Sequence, residues 1–214
     1  DTFTLTIANT NDAPTAVSLS ATAINENSSG VVVGNLSTSD VDSGDSFTYT
    51  LSGDDKDSFE VVNGQLKLKS GVSADYESKN SYAVTVTSTD SGSATTSQSF
   101  TVTVNNVNEA PTGMSMDNFT IDESQLGITV GNISVTDPDA GDTFTYSLSG
   151  THQDWFEITS GGVLKLKDGI YADYERYDSM SVTVTATDQG GLTYSATATI
   201  NVNDLPYATP YAPD

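Results

Sequence analysis

Carboxylates are the side chains of this sequence that could do chemistry, because they recur in register in two halves about 97 residues apart. Surface acids in water need no fixed neighbour and change freely between the copies of a repeat. Acids kept in register indicate a shared partner, and for clustered carboxylates that partner is most often a hard cation such as Ca²⁺. The matching acidic positions are Glu26 and Glu123, Asp40–Asp45 and Asp137–Asp142, Asp75–Glu77 and Asp173–Glu175, and Asp90 and Asp188.

The charge and the cysteine content exclude several classes of partner and site. The 214 residues include 29 acids and 7 bases, a formal net charge of −22 at pH 7. Nucleic acid is not expected as a partner, because its phosphates would be repelled. The sequence has no cysteine, so neither disulfides nor thiolate metal sites can form. A secreted protein without disulfides needs another source of stability, which bound Ca²⁺ can provide.

Enzymatic activity is not predicted. His152 is the only histidine and is expected in a surface loop, and the sequence contains no Gly-x-Ser-x-Gly motif. Paired carboxylates could in principle hydrolyse glycosides. A catalytic pair is rarely copied in full into both halves of a tandem repeat, however, and here both halves carry the same acids.

The sequence carries no signal for membrane insertion. No apolar run approaches the roughly 20 residues of a membrane span, and no signal peptide begins the chain. We therefore interpret Asp1 as a cut made inside a longer polypeptide. We expect that polypeptide to be secreted or displayed at the cell surface.

The elements that position the acids are predicted to be β-strands. Phe47–Leu51 and its copy Phe144–Leu148 alternate apolar and polar residues with period two, and Val, Thr, Tyr and Phe dominate such runs. Gly and Asn punctuate them as turn residues. Each repeat has about seven such strands, which is typical of an antiparallel sandwich. The predicted fold class is all-β, with two seven-stranded β-sandwiches in tandem.

The repeat sets the predicted domain boundaries. Residues 1–10 are interpreted as the final strand and linker of a preceding repeat, because Phe3, Leu5 and Ile7 alternate. Residues 11–107 form the first repeat and residues 108–204 the second. Residues 205–214, with three prolines, are expected to form an extended linker.

The short link between the repeats is the predicted place for the cation. Only Asn105–Pro111 separate the last strand of the first repeat from the second repeat. Loops at one end of a sandwich lie near the exit of its final strand, so acids of several loops can converge on the link. Calcium takes about six to eight oxygen ligands, and only a junction would gather that many here.

The order of these motifs resembles the cadherin repeat, particularly its bacterial form, over nearly the whole chain. The motifs are Glu26 in Asn-Glu-Asn, Asp-x-Asp, Asp-x-Glu, Thr-Asp and Asn-x-Asn-Glu-x-Pro. The resemblance implies a Greek-key topology and up to three Ca²⁺ at each junction. For the central junction it implies the ligands Glu26, Asp75, Glu77, Asn106, Asn108, Glu109, Asp137, Asp139 and Asp188. Asn106 stands where the family usually has Asp, so one ion is expected to bind less tightly.

The same resemblance implies an incomplete ligand set at each end of the chain. The downstream half of a junction would consist of Asn11, Asp12, Asp40, Asp42 and Asp90. The upstream half of another would consist of Glu123, Asp173, Glu175, Asn203 and Asp204. We expect weaker binding at these ends, because water must complete each coordination shell.

Two functions remain open at this point. The first is adhesion, or extension of a binding domain, by a calcium-stiffened segment that contacts neighbouring repeats and possible homophilic partners. The second is calcium-dependent binding of polysaccharide. Trp155, Tyr171 and Tyr177 are specific to the second repeat. They are interpreted either as a surface for stacking sugars or as a cover for the core and the junction.

Overall fold

The computed structural model describes residues 2–5 and 10–206 and is built from β-strands. The first repeat contains β1 (Ala16–Leu19), β2 (Ala23–Asn25), β3 (Val32–Ser39), β4 (Thr48–Ser52), β5 (Phe59–Val62), β6 (Gln65–Leu68), β7 (Ser81–Thr89) and β8 (Thr95–Asn105). The second contains β9 (Gly113–Met116), β10 (Thr120–Asp122), β11 (Thr129–Thr136), β12 (Thr145–Ser149), β13 (Phe156–Ile158), β14 (Val163–Leu166), β15 (Ser179–Thr187) and β16 (Thr193–Asn203). Single 3₁₀ turns at Lys56–Ser58 and Gln153–Trp155 precede β5 and β13.

Each repeat is a sandwich of two four-stranded sheets. In the first repeat the strand orders are β1-β3-β6-β5 and β2-β8-β7-β4, and the second repeat has the same arrangement. The chain crosses from one sheet to the other between β3 and β4, returns for β5 and β6, and crosses again to β7 and β8. The predicted fold of two tandem Greek-key sandwiches is confirmed. The chain divides into two compact units between Val107 and Asn108.

The strand predicted to be first in each sandwich is two short strands, one in each sheet. β1 pairs with β3 in an antiparallel manner, whereas β2 pairs with β8 in parallel. Gly34 lies at a register shift in β3, where a Cβ would come within 2.8 Å of the backbone nitrogen of Ala21. Gly131 occupies the same position in β11. Because glycine has no side chain, the segment between the first two strands of each repeat can pass close to the bulge. This segment divides the predicted first strand into two, so each repeat has eight strands instead of seven.

Each sandwich has its own hydrophobic core between the sheets. Burial alternates along the long strands, so that Val84 and Val86 of β7 are buried while their neighbours point outward. Burying a side chain of this size stabilises the fold by roughly 1.5–3 kcal/mol. The largest fully buried side chains include Phe59, Leu66 and Leu68 in the first repeat and Phe156, Leu164, Leu166, Met180 and Ile200 in the second.

The two ends of the chain leave part of the predicted organisation untested. Residues 2–5 form no strand in the structure, and Phe3 and Leu5 are almost fully exposed. Ile7 and most of the predicted linker, residues 207–214, lie outside the described residues. The assignment of residues 1–10 and 205–214 therefore stays a prediction.

Candidate metal centres

One group of acids in each repeat lies beside the residues that follow its last strand, and we call it the exit cluster. Within a cluster, one carboxylate oxygen of each residue lies within 4.8 Å of the others. Oxygens about 2.3–2.6 Å from a single Ca²⁺ are separated by distances of this order. The exit clusters are Glu26, Asp75 and Glu77 in the first repeat and Glu123, Glu175 and Asp204 in the second.

A buried glutamate anchors each exit cluster. Glu26 is only 2% exposed and directly follows β2. The parallel pairing of β2 with β8 brings it to the exit of β8, where its own N–H donates to the Asn105 carbonyl (3.3 Å). Its two carboxylate oxygens accept from the N–H groups of Val107 (2.7 Å) and Tyr76 (2.7 Å). Backbone donors thus fix the orientation of a buried charge.

The second repeat holds Glu123 in the same way. Its oxygens accept from the N–H groups of Leu205 (2.8 Å) and Tyr174 (3.1 Å). Because Leu205 takes the place of Val107, Asp204 corresponds in space to Asn106. The second repeat therefore carries the Asp that the first repeat lacks at this position.

The Asp-Tyr-Glu segment supplies the exposed part of each exit cluster. Asp75 accepts hydrogen bonds from the N–H (2.9 Å) and the hydroxyl (2.8 Å) of Ser78, and these bonds hold the pKa of Asp75 below its ordinary value. Asp75 and Glu77 thus present charged oxygens toward Glu26. In the second repeat Glu175 joins the cluster, whereas Asp173 accepts the Arg176 N–H (3.1 Å) outside it.

A second group of acids lies beside the residues that precede the first strand of each repeat, and we call it the entry cluster. One carboxylate oxygen of each member again lies within 4.8 Å of the others. Asp90 and Asp188 are buried, with 6% of each residue exposed. The entry clusters are Asp40, Asp45 and Asp90 in the first repeat and Asp137, Asp142 and Asp188 in the second.

Hydrogen bonds position the entry cluster of the second repeat. The Asn108 side-chain amide donates to Asp188 (3.0 Å), and the Leu192 N–H donates to the other oxygen (2.8 Å). Burial raises the pKa of Asp188, but these bonds and the neighbouring backbone N–H groups outweigh it, so the pKa lies below its ordinary value. The Glu109 N–H donates to Asp139 (2.7 Å), whose own N–H donates to Asp137 (3.0 Å).

The first repeat repeats this network. The Asn11 side chain donates to Asp90 (3.1 Å), and the Asp12 N–H donates to Asp42 (2.7 Å). The Asp42 N–H donates in turn to Asp40 (3.0 Å). Residues at these positions, whether Asp12 or Glu109, thus contribute backbone donors that hold the Asp-x-Asp loop.

The entry clusters contain buried oxygens that no donor satisfies. One carboxylate oxygen each of Asp40, Asp45, Asp137 and Asp142 is buried and has no hydrogen-bond partner. Leaving a buried charged acceptor unpaired is costly. In Asp142, burial and the charges of Asp137, Asp139 and Asp188 raise the pKa. A hard cation would satisfy these oxygens and neutralise the repulsion, so the residues present fit Ca²⁺.

Asp45 and Asp142 were not among the ligands that the sequence analysis predicted. The signal was available, because both acids recur at the same distance from the Asp-x-Asp motif. Asn203, which was predicted as a ligand, lies within β16 and donates to Asp122 (2.8 Å). Its counterpart by strand pairing is Asn105, which donates to Asn25 (3.0 Å). The Asn203 side chain therefore belongs to the sheet pairing, not to an acid cluster, while Asn106 is exposed just beyond β8.

Sequence comparison places these repeats in a family. The sequence profile described as "Cadherin domain" matches residues 20–105 and 117–203. The chain belongs to the cadherin domain family. Mouse (Mus musculus) Cadherin EGF LAG seven-pass G-type receptor 2 is 30% identical over 216 residues, covering 94% of this chain and 7% of that protein. Chicken (Gallus gallus) Cadherin-related family member 1 is 35% identical over 91 residues, covering 38% of this chain and 10% of that protein.

Solved structures agree with this assignment at the level of the fold. Human Protocadherin-24 EC1-2 matches with a TM-score of 0.73 and 22% identity, over 92% of this chain and 100% of that one. Extracellular cadherin domains 1–4 of Protocadherin Gamma B7 match with a TM-score of 0.64 and 26% identity, over 89% of this chain and 51% of that one. This cadherin tandem spans a tenth or less of the length of these two curated relatives. Within the described ranges, no helix is long and apolar enough to span a membrane.

Proposed function

We propose that this cadherin tandem is a calcium-binding, non-enzymatic segment of a large extracellular adhesion protein. The observation that carries the proposal is the set of buried, unpaired aspartate oxygens in both entry clusters. Without a cation these oxygens impose a cost on the folded state in both repeats. With Ca²⁺ bound, the same oxygens would become ligands.

The exit clusters support the same proposal from the other end of each repeat. Glu26 and Glu123 are buried carboxylates, and each is joined by two exposed acids. Bound Ca²⁺ would supply positive charge among acids that otherwise repel one another. The sequence-based prediction that acids of the first repeat share ions with Asn108, Glu109, Asp137, Asp139 and Asp188 stays a prediction, and so does the count of three ions.

Stiffening of the link is the mechanical part of the proposal. Seven carboxylates are predicted around the short link, and at an effective dielectric constant near 20 their mutual repulsion amounts to several kcal/mol, on the order of 4 kcal/mol for a pair about 4 Å apart. Bound Ca²⁺ would turn the net repulsion among these carboxylates into a net attraction to the ions. An extracellular location and contacts with neighbouring repeats or a second copy follow from the adhesive role. A bacterial source stays a prediction, because the relatives named above are vertebrate proteins.

Calorimetric titration with Ca²⁺ tests the proposal directly. We expect binding in the range typical of extracellular modules, about 10⁻⁴–10⁻³ M or tighter, and weak competition by Mg²⁺. Glu26→Gln should remove binding at the exit cluster of the first repeat, whereas Asp57→Asn, at an exposed ion pair with Lys56, should leave the titration unchanged. No heat of binding at millimolar Ca²⁺ would contradict the calcium role.

Small-angle X-ray scattering tests the mechanical part separately. The maximum dimension and the flexibility of the tandem should respond to Ca²⁺ and return after chelation, while circular dichroism shows that both sandwiches stay folded. If calorimetry detects binding but scattering does not change, Ca²⁺ binds without stiffening the link, and that part of the proposal is wrong.

Polysaccharide binding is the second candidate function. It is favoured by one observation, an open hollow lined by Trp155, Tyr171 and Arg176 in the second repeat. Retention on insoluble polysaccharide, with Ca²⁺ and with chelator, separates this function from a purely adhesive one.

A further inference from the structure

The second repeat differs from the first around one surface hollow beside its Asp-Tyr-Glu segment. The hollow has a volume of about 170 Å³ and is lined by Trp155, Gly169, Ile170, Tyr171, Asp173 and Arg176. In the first repeat the corresponding positions carry small or polar side chains. The replacements are Ser29 by Leu126, Ser58 by Trp155, Ser73 by Tyr171, Ser78 by Arg176 and Lys79 by Tyr177.

The first repeat uses this region for a salt bridge, whereas the second uses it for aromatic packing. Lys79 pairs with Asp55, which also accepts the Ala83 N–H (2.7 Å). In the second repeat the rings of Trp155 and Tyr177 pack edge to face with their centroids 5.4 Å apart. Trp155 packs against the buried core of the second repeat, which confirms the interpretation that it covers this core.

His152 completes this aromatic group. It lies in a turn, as expected for a surface loop, and is half-buried, with its ring packed edge to face on Tyr177 and the centroids 5.1 Å apart. Its Nδ1 lies 3.0 Å from the Ser181 backbone nitrogen, which can donate to it. The His152 ring therefore contacts both Tyr177 and Trp155, and Trp155 in turn lines the hollow.

Arg176 presents unused donors at the hollow. It is the only arginine of the chain, and its guanidinium carbon lies 5.5 Å from the Trp155 ring centroid and 5.2 Å from that of Tyr177. In the part of the chain that the structure describes, no carboxylate forms a salt bridge with Arg176. The rings hold the guanidinium plane, so its N–H groups remain available to a ligand.

Asp173 presents an acceptor on the same wall. In the first repeat Ser78 satisfies both oxygens of the equivalent Asp75 through its N–H and its hydroxyl. Arg176 keeps only the backbone bond (3.1 Å), because it has no hydroxyl. Within residues 10–206, no donor contacts the second oxygen of Asp173.

Tyr171 supplies an accessible aromatic face at the rim. It is 52% exposed, although a residue of this size is usually more deeply buried. A backbone bridge between Tyr171 and Leu126 holds this edge in place. Nothing in the packing of the repeat requires a ring here, since the first repeat has a bridge between Ser29 and Ser73 at the same position.

We infer that this hollow binds one neutral sugar residue of a polysaccharide. The apolar C–H face of a pyranose ring packs on an aromatic ring, and Tyr171 offers such a ring beside Trp155. A sugar hydroxyl both donates and accepts, so it satisfies Asp173 and Arg176 together. Uronate and sulfated sugars are disfavoured, because the chain carries a net charge of −22. The inference makes the second candidate function specific, and it gives Asp173 a role beside its predicted one as a calcium ligand.

Trp155 is the only tryptophan, so its fluorescence reports on the hollow directly. The probes are soluble oligosaccharides of neutral glucan, xylan, mannan and galactan, with oligomers of alginate as the acidic comparison. We expect at least one neutral series to shift or quench the emission in a saturable manner. Tyr171→Ser and Arg176→Ser, which restore the residues of the first repeat, should each weaken that binding by about tenfold or more. Tyr76→Ser in the first repeat should not change it.

Four results would overturn the inference. The first two are no fluorescence response to any neutral oligosaccharide, and tighter binding of alginate than of the neutral series. The third is a loss of sugar affinity in Tyr76→Ser equal to that in the second-repeat variants. The fourth is altered self-association of Tyr171→Ser and Arg176→Ser in sedimentation with unchanged sugar binding. A calcium titration of the same samples separates the two proposals. If the tandem binds Ca²⁺ but no sugar, only the inference that the hollow binds sugar is wrong. If it binds sugar but no Ca²⁺, only the proposed calcium role is wrong.

Discussion

The side-chain amide of Asn108 packs directly on the backbone of Gly190. A Cβ added to Gly190 would lie 2.3 Å from the Asn108 amide carbon, closer than any real contact. Gly92 and Asn11 have the same relationship in the first repeat, at 2.2 Å. Glycine is therefore required at these two positions so that the asparagine can reach Asp188 or Asp90. This explains why a glycine follows the Thr-Asp motif by two residues in both repeats.

Gly190→Ala should consequently disturb the entry cluster of the second repeat. We expect a loss of stability of about 1–3 kcal/mol from overpacking, together with weaker Ca²⁺ binding. Gly71→Ala is the matched control, because a Cβ there meets nothing within 4 Å, and its effect should stay within about 0.5 kcal/mol. Thermal unfolding and calorimetry measure both quantities.

A double variant separates the clash from the loss of the hydrogen bond. Asn108→Ala in the Gly190→Ala background removes the atoms that clash, so stability should recover while Ca²⁺ binding stays weak. If the double variant binds Ca²⁺ as the parent does, the Asn108–Asp188 bond has no part in holding the cluster.

Asp142→Asn should have opposite effects without and with calcium. In chelator the variant should raise the melting temperature, because it removes one of several repelling charges around an unpaired buried oxygen. In Ca²⁺ it should weaken binding by about tenfold or more, since loss even of outer-shell partners has effects of that size. Asp45→Asn makes the same comparison in the first repeat, and Asp154→Asn changes an exposed acid as the control. The same sign of effect in both conditions would show that Asp142 is no ligand.

The sequence was sufficient to predict both sandwiches, and it named most of the acids that the structure groups into clusters. Period-two strands and acids repeated in register, such as Glu26 and Asp75, carry that information without coordinates. The Asp-x-Asp motif alone does not indicate that Asp45 and Asp142 join the same group of acids. The loop after the motif folds back toward Asp90 in the first repeat and Asp188 in the second, and this folding decides which acid of the loop joins the cluster.

The position of Asn203 shows what pattern matching could not provide. Asn203-Asp204-Leu205-Pro206 matches Asn108-Glu109-Ala110-Pro111 by residue type. The parallel pairing of β10 with β16 instead places Asn203 opposite Asp122, as Asn105 is opposite Asn25. Strand register depends on contacts far apart in the chain, so the residue types of one short link did not determine it.

Ala198→Phe should stabilise the second repeat. Strand pairing aligns Ala198, opposite Val182, with Phe100, opposite Val84. Phe100 packs against the core of the first repeat, whereas the smaller Ala198 borders a hollow of about 110 Å³. Filling it with the side chain of the other repeat should add about 0.5–2 kcal/mol in urea unfolding followed by Trp155 fluorescence.

The reciprocal change provides the control. Phe100→Ala should destabilise the first repeat by less than the ~3–5 kcal/mol typical of a fully buried Phe, because Phe100 is partly exposed. A destabilised Ala198→Phe variant would mean that the walls of the hollow, formed in part by Met116 and Ile133, cannot accept the ring.

Asp117 should make the stability of the second repeat depend on pH. The side chain of Asn132 (2.6 Å) and its backbone N–H (2.7 Å) donate to the Asp117 carboxylate and lower its pKa below 3.8. A carboxylate with a lowered pKa in the folded state contributes stability that is fully present above the unfolded pKa. That contribution is lost as the pH falls from about 3.8 through the folded value. The effect should be modest, because Asp117 is exposed.

The first repeat supplies the variant that tests this dependence. Ser20 occupies the position of Asp117, and its hydroxyl accepts the Asn35 N–H (2.8 Å) without any charge. Asp117→Ser should therefore keep the backbone contact but be less stable than the parent at pH 6. The difference should shrink toward zero below the folded pKa, where the parent carboxyl is protonated. Chelator in both samples removes any contribution of Ca²⁺, and the fluorescence of Trp155 follows unfolding of the second repeat alone. If the difference in stability between parent and variant is the same at pH 6 and pH 2, the contact between Asp117 and Asn132 stabilises the repeat through packing and not through the charge of Asp117.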